Sequence, residues 1–208
     1  MIGSTWSHAV ARPMARLLAG LGVGANLLAG LRLSAGLLAA FCLLPGTPAG
    51  NHWGGWLWLS VVPLNRLYKE IAQVTGLATT DSFVDELACL AFFAAMGFGQ
   101  RHSILGVEAI PIGMLSGIAL LMSFDFSAAL RQRQKSFVIA PLRRLGLAAD
   151  DLLVVFAPLA WLDWLAQTLI VTALGGTIIA LLSGWRLWRL MAQEHRAESD
   201  SPLKKGDR

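Results

Sequence analysis

The sequence predicts an all-α polytopic membrane protein in which six transmembrane helices follow an N-terminal interfacial amphipathic helix. Three observations support this fold class. The chain is 55% hydrophobic and only 14% charged, whereas soluble domains are about 25% charged. Its apolar segments have lengths that suit a hydrocarbon core ~30 Å thick. Its basic residues fall almost entirely on one side of those segments, as is typical of membrane proteins.

The same composition excludes other classes of protein. The mean hydropathy of +0.58 is unlike that of a disordered chain or a coiled coil. Two cysteines are too few for a disulfide scaffold or a cysteine-rich zinc module. A net charge of +4 on so apolar a chain indicates basic loops beside a membrane. We therefore expect membrane lipids, and no nucleic acid, as partners.

Residues 1–24 are predicted to form the interfacial amphipathic helix. Within 5–21, apolar side chains recur on one helical face, while His8, Arg12 and Arg16 lie off that face. Helices of this kind lie in the plane of the membrane surface. The apolar face consists of Trp6, Val10, Met14, Leu17, Leu18 and Leu21. The alternative is that this segment extends the first membrane span.

Residues 25–192 are predicted to form a six-helix transmembrane domain, and the polar segment 193–208 a disordered cytoplasmic tail. A spanning helix needs about 20 mostly apolar residues. The third and fifth candidates are the least apolar, and the fourth is long enough to tilt. The six predicted spans are 25–44, 52–71, 82–99, 104–130, 147–162 and 168–187.

The basic residues predict the orientation of these spans. If both termini are cytoplasmic, Arg101 is the one basic residue on the outer side, and Arg32 lies within the first span. This bias follows the positive-inside rule and favours an even number of spans in the cell inner (cytoplasmic) membrane. The cytoplasmic side then carries Arg12, Arg16, Arg66, Lys69, Arg131, Arg133, Lys135, Arg143, Arg144, Arg186, Arg189, Arg196, Lys204, Lys205 and Arg208.

Tryptophans cluster at two predicted membrane boundaries. Trp53, Trp56 and Trp58 begin the second span on its outer side, and Trp185 and Trp188 end the sixth span on its inner side. Both clusters are typical of the aromatic belts that form at membrane interfaces.

Polar residues gather at the inner ends of spans two, three and four. Charges at membrane depth are costly and usually line a cavity or a site. The cluster therefore predicts a polar pocket open to the cytoplasm, and the alternative is simple solvation of helix ends. On helical spacing, Asp81, Asp85 and Cys89 share one face. The cluster comprises Asn65, Arg66, Tyr68, Lys69, Glu70, Gln73, Asp81, Asp85, Glu86, Asp125 and Arg131.

Five short segments, together with this layout, resemble the CDP-alcohol phosphatidyltransferase superfamily, the six-span membrane enzymes of phospholipid synthesis. The resemblance covers about residues 11–190. It implies a homodimer, a CDP-linked lipid donor and Mg²⁺ or Mn²⁺ as cofactor. The segments are ARPMAR at 11–16, GVGAN at 22–26, LRL at 31–33, EIAQVTG at 70–76 and FVDELA at 83–88.

The signature of this family is D-x-x-D-G-x-x-A-R followed by G-x-x-x-D-x-x-x-D. Its four aspartates, from two adjacent helices, hold the metal that binds the CDP pyrophosphate. In the first half, Asn65 and Tyr68 stand at the two aspartate positions of this chain. Lys69 stands at the first glycine position and Gln73 at the arginine position, while Ala72 matches. The resemblance thus assigns Asn65 and Tyr68 to former metal-ligand positions.

The second half of the signature is altered as well. Asp81 stands at the glycine position, Asp85 matches the third aspartate, and Cys89 occupies the position of the fourth, which is thought to be the base. Asp85 and Asp81 are therefore the candidate metal ligands, both from one helix. A buried thiol is a poor base, so no catalytic residue is assigned. The candidate substrate-binding residues are Lys69, Gln73, Arg131, Arg133 and Lys135.

These replacements predict a phosphatidyltransferase-like membrane protein that is catalytically impaired or inactive. A metal clamp and a general base each contribute roughly 10²–10⁴ in rate, and this chain lacks most of both. One alternative is an active Mg²⁺- or Mn²⁺-dependent transferase, which moves a phosphatidyl or other phospho-alcohol group from a CDP-linked donor to an alcohol and releases CMP. The other is a small transporter or membrane scaffold.

Overall fold

The computed structural model describes residues 6–75, 82–133 and 153–200 of the chain. Within these ranges the structure contains α-helices and no β-strand, which confirms the all-α class. Two 3₁₀ turns, Gln100–His102 and Gly106–Glu108, precede the fifth helix. The helices are α1 (Trp6–Gly20), α2 (Ala25–Leu43), α3 (Pro48–Thr75), α4 (Ser82–Gly99), α5 (Ala109–Arg133), α6 (Phe156–Trp161) and α7 (Leu165–Asp200).

Within the described ranges, three helical segments are long and apolar enough to cross a membrane. They are Ala25–Leu43, Gly106–Leu130 and Leu165–His195. These segments coincide with the first, fourth and sixth predicted spans. Helices α3 and α4 cover the second and third, and only residues 153–162 of the fifth predicted span are described.

Helices α2, α3 and α4 pack together in a way that fixes their relative directions. Arg32 of α2 contacts Asn65 of α3, while Gly54, at the beginning of α3, lies against Leu43 at the end of α2. These two helices are therefore antiparallel. Gly36 of α2 lies against Ala88 of α4, and Gly99 of α4 lies against Leu43, so α2 and α4 run parallel.

Helix α5 runs antiparallel to α4 and parallel to α7. Gly113 of α5 lies against Gly97 of α4, and Gly117, one turn later, lies against Leu90, so these two helices run in opposite directions. Further along, Ser116 bonds to Leu169 of α7, and Phe126 lies against Gly184. Because later residues of α5 contact later residues of α7, these two helices run parallel.

The segment that includes α6 packs along the first half of α3. The indole Nε1 of Trp58 donates to the carbonyl oxygen of Leu153 at 3.0 Å. Gly55 lies against Ala157 and Trp161. Later residues of this segment contact earlier residues of α3, so the segment is antiparallel to α3. The directions along the chain therefore alternate from α2 to α7.

Helix α1 packs on the second half of α3 through a small apolar cluster. Ala15 is fully buried in this cluster together with Tyr68 and Ile71 of α3. By contrast, Leu17 and Leu21 are 69% and 75% exposed. The part of the predicted apolar face that the structure describes thus turns away from the helices, apart from the half-buried Leu18.

Small residues of α5 and α7 lie at close contacts between helices. Gly113 and Gly117 of α5 pack on α4, and Gly184 of α7 packs on Phe126 of α5. These glycines therefore serve contacts within one chain.

At its far end, α7 continues through residues 193–200, where the composition predicts a disordered tail. Residues 201–208 lie outside the described ranges.

Candidate functional site

A buried arginine joins α2 to α3 at the level of the predicted pocket. Nη1 of Arg32 donates to Oδ1 of Asn65 at 2.7 Å. The two residues are only 1% and 8% exposed. A buried charge is stable only when polar groups surround it. This hydrogen bond therefore contributes both to the helix contact and to the solvation of the guanidinium.

Tyr68 lies under the same arginine. The Cζ atom of Arg32 is 4.9 Å from the centre of the Tyr68 ring, within the range of a cation–π interaction. Tyr68 is buried, and so are Asn65 and Ala72 on the same side of α3. Residues spaced by three and four lie on one face of a helix. Because all three are buried, this face points into the bundle.

A small cavity of about 80 Å³ lies beside the Arg32–Asn65 pair, between α3, α4 and α5. Asn65 and Arg66 line it from α3, and Cys89 lines it from α4. Two positions that the family resemblance assigns to one active site, Asn65 and Cys89, thus meet at one cavity. The cavity is much smaller than the roughly 300–1,000 Å³ of an ordinary ligand pocket.

Trp58 also lines this cavity. It is 1% exposed, stacks on Phe92 with ring centres 3.9 Å apart, and donates to Leu153 as described above. The prediction that Trp58 belongs to an interfacial belt is therefore wrong, whereas Trp53 and Trp56 are exposed. The physical reason is the helical period: Trp58 is seven residues before Asn65 and shares its inward face.

The remaining predicted site residues divide into two groups. Lys69 is half-buried and Gln73 is exposed on α3, and neither lines the cavity. The second group lies outside the described residues: this holds for Asp81 and Lys135, and for the side chains of Asp85, Arg131 and Arg133, whose backbones belong to α4 and α5.

The α3 side of this site does not fit a divalent cation. The amide oxygen of Asn65 already accepts from Arg32, and a guanidinium at that oxygen repels a second cation. Mg²⁺ needs several oxygen ligands, usually including carboxylates. In the part of the chain that the structure describes, no group of three or more His, Cys, Asp or Glu side chains could hold a metal ion.

Sequence reasoning missed two features of this site. Arg66 is buried and lines the cavity, although the sequence identifies it only as part of a polar cluster. The pairing of Arg32 with Asn65 was not predicted either, because it depends on the register between α2 and α3. The signal for Arg32 was its position inside an apolar span, where a charge needs a partner on another helix.

Comparisons with known proteins do not assign this chain to a family. No model of a known protein family matches the sequence, and no characterised protein matches it significantly.

Proposed function

We propose that this chain is a six-span membrane protein of the CDP-alcohol phosphatidyltransferase type that has lost phosphatidyl transfer and retains a binding site for a phosphorylated group. One observation carries the proposal, namely the 2.7 Å hydrogen bond from Arg32 to Asn65. It supports the proposal because it holds a cation beside Asn65, the residue that the resemblance aligns with the family's first metal-binding aspartate. A site built this way favours direct contact with an anion over a metal bridge.

The packing of the helices supports six spans. Helix directions alternate from α2 to α7, as they do when consecutive helices each cross a membrane. An even number of crossings leaves both ends of the chain on one side. The cationic residues of α3 and α7, such as Arg66, Lys69 and Arg186, lie toward the same end of the bundle, which supports a cytoplasmic location for that end.

The position of α1 supports an interfacial helix. It packs against the second half of α3 by the small side chain of Ala15 and leaves Leu17 and Leu21 exposed. Exposed leucines on a surface helix are favourable when they enter the boundary between headgroups and acyl chains. The helix would then lie at the cytoplasmic surface, beside the entrance to the polar site.

The loss of chemistry follows from the residues at the cavity. Cys89 is a buried thiol that belongs to the same core cluster as Trp58, and a buried thiol is a poor base for an alcohol. Asn65 and Tyr68 are neutral, and their neighbour Arg32 is cationic. Without a metal clamp and a base, the expected rate falls by several powers of ten.

The first test measures CMP release by the full chain in lipid vesicles that contain CDP-diacylglycerol, a panel of small alcohols, and Mg²⁺ or Mn²⁺. We expect no release above that of protein-free vesicles. Turnover that disappears in Asp85→Ala would overturn the proposal, because it would demonstrate an active site built on α4.

The second test separates binding from catalysis. We expect CDP-diacylglycerol to raise the Tm of the purified chain in detergent, and EDTA to leave this shift unchanged. Arg66→Gln should reduce the shift, because Arg66 lines the cavity, and Arg101→Gln, at the opposite end of the bundle, should not. A shift that EDTA abolishes would contradict the metal-free site.

A further inference from the structure

A second and larger cavity lies between α5 and α7, away from the polar site. It is an apolar groove of about 420 Å³. Its walls include Leu115 and Met122 of α5 and Leu181 and Trp188 of α7, all of which are well exposed. We refer to it as the α5–α7 groove. Its volume falls within the range of a ligand site.

The α5–α7 groove has the length of one membrane leaflet. On α5 its lining runs from Leu115 to Phe126, and on α7 from Thr177 to Trp188. At a rise of 1.5 Å per residue, each wall is about 16 Å long. This is close to half of a ~30 Å hydrocarbon core. Because the two walls are parallel, the groove follows the long axes of both helices.

One end of the groove carries a cation. Arg189 lies just beyond Trp188, and its Cζ atom is 3.8 Å from the centre of the Trp185 ring. A guanidinium stacked in this way directs its N–H groups outward from its edge, where they suit a phosphate. Trp185 and Trp188 are 49% and 63% exposed, as expected for side chains at the level of lipid headgroups.

We propose that the α5–α7 groove holds one acyl chain of an anionic phospholipid, whose phosphate lies beside Arg189. The length matches one leaflet, the lining is apolar, and the cation is at the end where the headgroup would be. A second copy of the chain fits less well. Gly184, a small residue of the groove lining, is already packed on Phe126 and so does not offer a close approach to a second helix.

The inference is independent of the proposed transferase relationship. It requires only that α5 and α7 cross the bilayer, and both contain segments apolar enough to do so. The polar site can fail every test of nucleotide binding without affecting the groove. Likewise, an empty groove would leave the argument from Arg32 and Asn65 intact.

The experiment uses the full chain reconstituted in vesicles of equal phosphatidylglycerol and phosphatidylcholine. After extraction into a mild detergent, retained lipids are counted by native mass spectrometry. We expect a phosphatidylglycerol adduct that disappears in Thr177→Trp, because the indole fills the groove. Leu174→Trp is the matched control: it lies on the same helix, is exposed and does not line the groove, so the adduct should remain.

A second pair of variants tests the headgroup contact without altering the groove. Arg189→Gln should lower the preference for phosphatidylglycerol roughly fivefold, as expected for one arginine near an anionic headgroup. Arg101→Gln is its control, because Arg101 also stacks on an aromatic ring, that of Phe98 at 4.3 Å, but at the opposite end. Equal preferences in both variants would overturn the assignment of the phosphate.

Two other outcomes would overturn the proposal as a whole. The first is an adduct that persists equally in Thr177→Trp and Leu174→Trp. The second is a change from dimer to monomer in Thr177→Trp with no change in bound lipid, since the groove would then be an interface between two copies.

Discussion

Two helix pairs of this protein solve the same packing problem by different means. The antiparallel pair α2–α3 buries a charged side chain and its partner, Arg32 and Asn65. The parallel pair α5–α7 relies on close contacts at Gly176 and Gly184 and on one hydroxyl, that of Ser116. The first pair carries a polar site and the second an apolar groove. Buried polarity in this bundle therefore marks the pair where polar binding chemistry is expected, whereas close apolar packing joins α5 and α7 beside the apolar groove.

The largest effect is expected at the charged pair. Asn65→Leu removes the acceptor of Arg32 Nη1 inside the bundle, and the loss of one partner from a buried charged contact costs about 3 kcal/mol. Asn65→Asp is the control, because it keeps both the volume and the acceptor. Unfolding in mixed detergent micelles, followed by circular dichroism, measures the difference. Equal losses in the two variants would show that the hydrogen bond does not stabilise the α2–α3 pair.

A smaller effect is expected where backbones meet. A Cβ atom at Gly50 would collide with the carbonyl oxygen of Cys42 and lie 3.1 Å from Thr47 Oγ1. Gly50→Ala should therefore destabilise the α2–α3 pair by about 2 kcal/mol, as overpacking commonly does. At Gly175 of α7 a Cβ atom meets nothing within 4 Å, so Gly175→Ala should leave stability unchanged or raise it slightly. The same unfolding assay compares them, and a stable Gly50→Ala variant would contradict the tight α2–α3 contact.

The smallest effect is expected at the α5–α7 hydroxyl. Ser116 Oγ lies 2.8 Å from the carbonyl oxygen of Ile112 and 3.0 Å from that of Leu169. Hydrogen bonds between membrane helices contribute about 0.6 kcal/mol on average, so Ser116→Ala should lower stability by that amount. Ser123→Ala is the control, because its hydroxyl bonds only within α5, to Leu120. If Ser116→Ala lost several times more stability than this, the α5–α7 pair would depend on a polar contact as strongly as the α2–α3 pair does.

The sequence predicted the positions of several helices well, because long apolar runs have few alternatives to a helix. Residues 82–99 match α4 at both ends, and α2 ends one residue before its predicted limit. The beginning of α5 was placed too early. Gly106 adopts a left-handed backbone (φ 59°), and the 3₁₀ turns around it delay the helix to Ala109.

The continuation of α7 has a physical reason that composition alone does not reveal. Residues 193–200 are polar, but they include good helix formers such as Gln193, Glu194 and Ala197. A helix that is already formed in an apolar span needs no new nucleus to extend into them.

The candidate site could be predicted only in part. The polar character of α3 and the inward face of Asn65, Tyr68 and Ala72 follow from composition and helical spacing. The pairing with Arg32 depends on how far α2 and α3 are shifted along each other, which the turn between them determines. The burial of Trp58 beside the cavity depends on α4, which supplies Phe92. Contacts between distant segments of this kind leave no local pattern in the sequence.

The parallel α5–α7 contact has a consequence for the biosynthesis of the chain. Residues 134–164 separate the two helices, and at ~5–20 residues per second α5 leaves the ribosome roughly two to six seconds before α7 begins. During that interval the carbonyl oxygen of Leu169 does not yet exist as an acceptor for Ser116. The hydroxyl can still donate to Ile112 within its own helix. Before α7 is synthesised, the Ser116 hydroxyl therefore has an acceptor within α5. Once α7 has packed on α5, the same hydroxyl also donates to Leu169.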